Sequence, residues 1–175
     1  MDQHQYFKRR VVRIAVEDYL ACYARRRFRT DASTGGIIIP DSLDLYHCVW
    51  SVMARRPLGA VDNPQANLTI WLPFRRSAEG QPCKHPAWWN YISPSNARTV
   101  EQALRRLFNW EFHHYVEERT LEGLTRTEAV RHFVRLYQLP DTAEATLLKN
   151  LQRYERAVNV FLGIKSKKKR KSSKS

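Results

Sequence analysis

Near the end of the chain, Lys149, Gln152, Arg153 and Arg156 recur at steps of three and four residues, with Asn150 at their margin. On an α-helix that spacing gathers side chains along one face. Lys and Arg pair with guanine edges or phosphates, and Asn and Gln pair with adenine, so the chemistry open to this set is recognition of a DNA groove. Bond-making chemistry has weaker carriers. His113 and His114 neighbour Glu111, Glu117 and Glu118, and Glu111 with His114 makes a single Glu-x-x-His step. Carboxylate di-metal bundles need two such helices and further glutamates, and the chain has no second copy. Adjacent helical residues also point about 100° apart, which keeps the two imidazoles from sharing an ion easily. Cys83-Lys84-His85 lacks two further zinc ligands. No glycine loop that would cradle phosphate and no nucleophile elbow is present. Asp41 and Asp44 could serve a metal-dependent nuclease, but both already have a use as helix-capping groups. The expectation is a binding protein without catalytic residues, metal or cofactor.

Charge points the same way. The 175-residue chain carries +13, and seven cations with no anion fall between Lys165 and Ser175, leaving +6 elsewhere. The tail includes Lys167, Lys168, Lys169, Arg170 and Lys171, a run that would also act as a nuclear localisation signal in a nucleated host. A basic body with a basic, order-averse tail suits a polyphosphate partner, because each neutralised phosphate releases condensed counterions. The competing reading is a solubilising tail on an unrelated domain. Arg25, Arg26, Arg27 and Arg29 form a second cluster. Cations complement a helix C-terminus, yet four in five positions exceed what the dipole needs, which makes phosphate contact a second use for them. A third group, Arg75, Arg76, Lys84 and Arg98, interleaves with Trp88, Trp89 and Tyr91. That mixture stacks on unpaired bases or lies along a backbone. The tryptophans could equally cap the core, although one of two adjacent residues in an extended stretch should face outward.

The elements that position these groups follow from periodicity and punctuation. Residues 5–27 read as an amphipathic helix through Val12, Ala15, Val16, Tyr19, Leu20 and Tyr23. Ile37-Ile38-Ile39, after Gly35-Gly36 and before Pro40, reads as a short buried strand, and Leu68 to Leu72 as a second. Between them a helix capped by Asp41 carries Leu45, Cys48, Val49, Val52 and Met53. That crossover leaves the strands free to pair in parallel or antiparallel. Residues 73–94 hold four of the eight prolines and read as irregular. A long helix capped by Ser93 or Ser95 runs to about Arg119, with Val100, Ala103, Leu104, Leu107, Phe108, Phe112, Tyr115 and Val116 as its apolar stripe. Two shorter helices follow, about 127–138 and 142–160. The fold expected is α+β and mostly helical: about five helices, a two-stranded sheet, and a disordered basic tail. Residues 1–122 form the body, 123–163 the last helices packed on it, and 164–175 the tail. Three distant cysteines, Cys22, Cys48 and Cys83, suit a reducing compartment. No apolar run is long enough to span a membrane or to act as a signal peptide. The expected location is cytoplasmic, on the nucleoid, in a prokaryote and nuclear in a eukaryote.

The last two helices, joined through Gln138-Leu139-Pro140-Asp141 with Leu139 as apolar anchor, resemble a helix-turn-helix. The turn departs from the usual pattern in two ways: Gln138 stands where glycine is common, and Pro140-Asp141 lengthens the connection. An ordinary helical hairpin would leave the same pattern. With the tail after Gly163, the layout resembles small accessory DNA-binding proteins of transposable phages and other mobile elements. That resemblance implies a transcriptional regulator or an accessory factor in transposition or replication. Duplex DNA is the expected partner. A single-stranded DNA or RNA binder acting through Trp88, Trp89 and Tyr91, and a non-enzymatic assembly protein, are the alternatives. A homodimer would extend the DNA read, although no heptad seam advertises one.

Overall fold

The computed structural model describes residues 10–74 and 83–163. Strand β1 (Val11–Ile14) leads into helix α1 (Asp18–Arg27). Strands β2 (Arg29–Thr30) and β3 (Ile37–Ile38) then precede α2 (Asp44–Val52) and β4 (Leu68–Trp71). Three helices complete the order: α3 (Pro94–Leu121), α4 (Arg126–Leu136) and α5 (Ala143–Phe161). The architecture is α+β and mostly helical, with five helices among the described residues. The sheet has four strands, not the two expected.

The extra strands correct the reading of the first 27 residues. Residues 11–14 extend as β1, and the helix is confined to 18–27. Val11, Val12 and Ile14 are β-branched and fit a pleated surface better than a helix. They pair antiparallel with β4, Val12 opposite Ile70 and Ile14 opposite Leu68. Asn67 fixes the strand-to-helix corner: its amide accepts from the Val16 N–H at 3.0 Å and donates to the Val16 carbonyl at 2.8 Å and to Asp18 at 2.9 Å. The strand order is β1-β4-β3-β2. β3 and β4 run parallel with Ile37 opposite Ile70, the pairing that the crossover through α2 permits. β2 and β3 form a two-residue hairpin. Asp31 holds its turn by accepting from the amides and hydroxyls of Ser33 and Thr34. A side chain at Gly36 would come within 3.1 Å of Val11 and 3.2 Å of the Trp71 amide, so glycine lets the hairpin close on the sheet.

Asp41 does not cap α2. It sits in the turn ahead of that helix, whose N-cap is Leu43 without a side-chain bond, and Asp44 supplies the first-turn carboxylate. Leu45, Val49 and Met53 are buried while Cys48 and Val52 are half-buried. Ser93 caps α3, accepting from the Asn96 amide at 3.3 Å.

Helix α3 is the spine. Val100, Leu104, Phe108, Phe112 and Val116 are buried on one stripe and join a single core with the sheet, α1, α4 and α5. Aromatic edges interlock there: Tyr23 against Phe108 at 5.0 Å, Phe112 against Phe133 at 5.2 Å and Phe133 against Tyr137 at 4.7 Å. Glu111 lies on the same helix with only 13% of its side chain exposed. It accepts from the Tyr23 hydroxyl at 2.7 Å, from Arg27 Nε at 2.6 Å and, more weakly, from the Tyr137 hydroxyl at 3.4 Å. Among the described residues no helix is long and apolar enough to cross a membrane.

Glu111→Ala strands a buried hydroxyl and a paired guanidinium. The expected loss is about 1–3 kcal/mol, read as a lower urea midpoint at unchanged slope. Tyr23→Phe, which leaves the ion pair intact, should lose less.

Candidate nucleic-acid interface

Helix α4 opens on a capping box. Thr125 Oγ1 accepts from the Glu128 amide at 3.3 Å, and Glu128 accepts from the Thr125 amide at 2.9 Å and hydroxyl at 2.6 Å. These bonds hold the Glu128 carboxyl below its ordinary pKa, the hydroxyl's being the larger effect. The helix ends in a Schellman motif: the Leu139 amide donates to Val134 at 2.9 Å and the Gln138 amide to Arg135 at 3.2 Å. Gln138 takes φ +50°, the left-handed conformation that glycine adopts without cost at this position. Its side chain accepts from Arg26 Nε at 3.0 Å, tying the turn to the end of α1. Leu139 is buried as the anchor of the turn.

Helix α5 buries Ala143, Leu147 and Leu151; Leu148, Tyr154 and Val158 are half-buried. Its two carboxylates both turn towards α4, where Glu144 pairs with Arg131 and Glu155 with Arg126, each at 2.9 Å. On the outward side Lys149, Gln152, Arg153 and Arg156 are exposed. None of the three cations has an ion pair among the described residues. The outward stripe is thus positive and cleared of acid.

Asn150 departs from the expected set. Its Oδ1 lies 2.7 Å from His113 Nε2 and its Nδ2 donates to Asn109 at 3.2 Å, so it locks α5 to α3 and is not offered to a groove. His113 also stacks on Tyr154 at 3.8 Å. His114 is exposed, stacks on Trp110 and pairs with Glu118 at 3.3 Å, so the two histidines serve different surfaces. Among the described residues no group of three or more His, Cys, Asp or Glu is placed to hold a metal.

The α1 arginines divide. Arg27 is held by Glu111 and Arg25 by the Asn67 carbonyl, so both have structural partners. Arg26 stays exposed beside the α4–α5 turn, and Arg29 is exposed on β2. In the loop before α3, Lys84 turns inward, donating to the carbonyls of Trp50 at 3.1 Å and Ser51 at 2.6 Å; burial holds its pKa below the ordinary value. Arg98 is exposed on α3. The two tryptophans split: Trp88 is exposed, while Trp89 packs against the core. Tyr91 is half-buried and bridges to Ala54. Arg75, Arg76 and the tail cations Lys167, Lys168, Lys169, Arg170 and Lys171 lie outside the described residues. The Arg26–Gln138 link and the anchoring of Asn150 join residues far apart in sequence, and no local pattern announces either.

Burial holds the His113 imidazole below its ordinary value of 6.5, partly offset by the Asn150 bond and Glu117. Below pH 6.5 the unfolded chain takes up a proton that the folded site resists. The His113 contribution therefore falls as pH drops through that value and levels off once the folded ring protonates. Urea midpoints at pH 7.5 and 5.5 should differ less in His113→Gln than in the parent chain. Comparison with protein-family models, curated proteins and solved structures finds no match for this chain.

Proposed function

We propose that this protein binds duplex DNA without chemistry of its own, presenting α5 to the major groove. Lys149, Gln152, Arg153 and Arg156 face the bases and their flanking phosphates. The observation that carries the reading is the partition of charge on α5: its only carboxylates are drawn back onto α4, and an unpaired cationic stripe remains outside. The two ion pairs would hold α4 to α5 in any helical hairpin, and for a groove-facing helix the same sorting adds charge complementarity to phosphate and donors for base edges. Arg26 at the turn adds a cation for phosphate beside the same helical pair, Arg29 is a further exposed cation on β2, and the tail cations add sequence-independent affinity.

The role that fits is a transcriptional regulator or an accessory factor in transposition or replication, working on the nucleoid of a prokaryote or in the nucleus of a eukaryote. A second copy would supply the second half-site that one such helix pair leaves unread.

Arg153→Ala should cost about 1–3 kcal/mol at a site selected from random duplexes, and less on unselected duplex, when both are read by fluorescence anisotropy. Equal losses on the two would reduce Arg153 to a phosphate contact. Arg156→Ala should flatten the log–log salt slope by about 1 if its partner is a phosphate. If duplex affinity disappears with residues 164–175 and neither substitution changes what remains, α4 and α5 are an ordinary hairpin.

A further inference from the structure

A cleft of about 770 Å³ opens along β1, the edge strand of the sheet, and does not involve α5. Its walls are Val11, Val12 and Arg13 of β1, Arg55, Arg56 and Asp62 after α2, and Ala87, Trp88 and Asn90 before α3. That volume lies in the range of small-ligand sites. Trp88 stands 65% exposed at the cleft, although an indole gains most when its faces are covered.

The walls are held in place before anything binds. Ala54 and Tyr91 exchange backbone hydrogen bonds at 2.9 and 3.2 Å, tying the segment that carries Arg55 to the one that carries Trp88. The Trp88 amide donates to the His85 carbonyl at 3.0 Å, and Asn90 donates to the Ala87 carbonyl at 3.1 Å. Arg56 is braced by the Ala60 carbonyl at 2.8 Å and Asp62 at 2.9 Å, and Arg13 by the Ala66 carbonyl at 2.9 Å. Arg55 lies over the Trp89 ring and has no ion pair among the described residues. Three guanidiniums against one carboxylate leave the cleft positive.

We infer that this cleft binds an unpaired nucleotide of a single-stranded nucleic acid, with its base stacked on Trp88 and its phosphate held by Arg55 and Arg13. The Asn90 amide, beside the indole, supplies polar atoms for the edge of the stacked base. An exposed indole, a guanidinium without an ion pair among the described residues and an amide oxygen in one pre-formed positive cleft match base, phosphate and base edge in turn. An acidic peptide would use the arginines and the open edge of β1 but leaves the indole without a purpose. The site is separate from α5 and stands whether or not that helix reads duplex DNA.

The test uses the full chain with fluorescein-labelled ten-nucleotide oligo-dT, a random duplex and poly-glutamate as anisotropy probes. Trp88→Ala should weaken oligo-dT binding about tenfold and leave the duplex within about twofold, while Trp88→Phe keeps most of the affinity. Arg55→Glu should weaken oligo-dT binding and flatten its salt slope. Unaltered urea midpoints confirm that the surface variants fold. Oligo-dT affinity indifferent to both Trp88→Ala and Arg55→Glu would assign single-strand binding to the tail and overturn the proposal. Poly-glutamate binding that competes with oligo-dT and falls equally with Trp88→Ala would overturn it in favour of a peptide site.

Discussion

A carboxylate largely withdrawn from water has to be met by donors, and Glu111 is met from three directions. Tyr23 reaches it from α1, Arg27 from the last turn of the same helix, and Tyr137 from the end of α4. The group sits on α3, beside the aromatic seam of Phe108, Phe112 and Phe133. Burial, and then the bond to Glu111, push the pKa of the Tyr23 hydroxyl above its ordinary value, which favours the donating form. The arrangement fixes the end of α1 against the turn between the last two helices. Arg26 meets Gln138 for that reason, a contact between residues 112 positions apart.

The basic residues fall into two populations. Arg105 joins Glu17 and Glu101, Arg119 pairs with Glu122, Arg56 with Asp62, and Arg126 and Arg131 hold the carboxylates of α5. Most of these pairs are well exposed, where an ion pair contributes little stability. Their effect is on position: Arg126 and Arg131, for instance, hold the two carboxylates of α5 towards α4. Lys149, Arg153, Arg156, Arg29 and Arg55 belong to the other population, exposed and without ion pairs among the described residues, as do Arg13, Arg25, Arg26, Arg98, Arg106 and Arg135. The unpaired charge is therefore spread over several surfaces. Two of them, the α5 stripe and the β1 cleft, differ in kind: a convex helix face suits a groove, and a recess with an indole suits a base.

Much of the helical layout was legible. The apolar stripes of α3, α4 and α5 are long and regular, and Ser93 and Thr125 are capping residues in capping sequences. The outward exposure of Lys149, Gln152, Arg153 and Arg156 follows from the same periodicity. The left-handed turn at Gln138 was marked by where glycine would ordinarily stand. The start of the chain misled because Val12, Val16 and Leu20 satisfy a helical period by spacing alone. Strand β1 exists through its partner β4, and a window of neighbouring residues carries no record of a partner some fifty-five positions away. β2 is two residues long, too short for alternation to register, whereas β3 was legible as the Ile37-Ile38-Ile39 run between Gly36 and Pro40.

The amino-acid sequence by itself determined an α+β, mostly helical chain, the apolar faces of its last three helices, and which residues on α5 face outward. All of these depend on residue type and local spacing. Tertiary structure alone decided the four-stranded order, the capture of Asn150 by His113 and Asn109, the loss of Arg25 and Arg27 to internal partners, and the inward turn of Lys84 onto the Trp50 and Ser51 carbonyls. It also decided which of Trp88 and Trp89 faces water. A polar side chain is free for a ligand only when no nearer group of the same protein satisfies it. That competition is settled among residues distant in sequence, after the chain has folded.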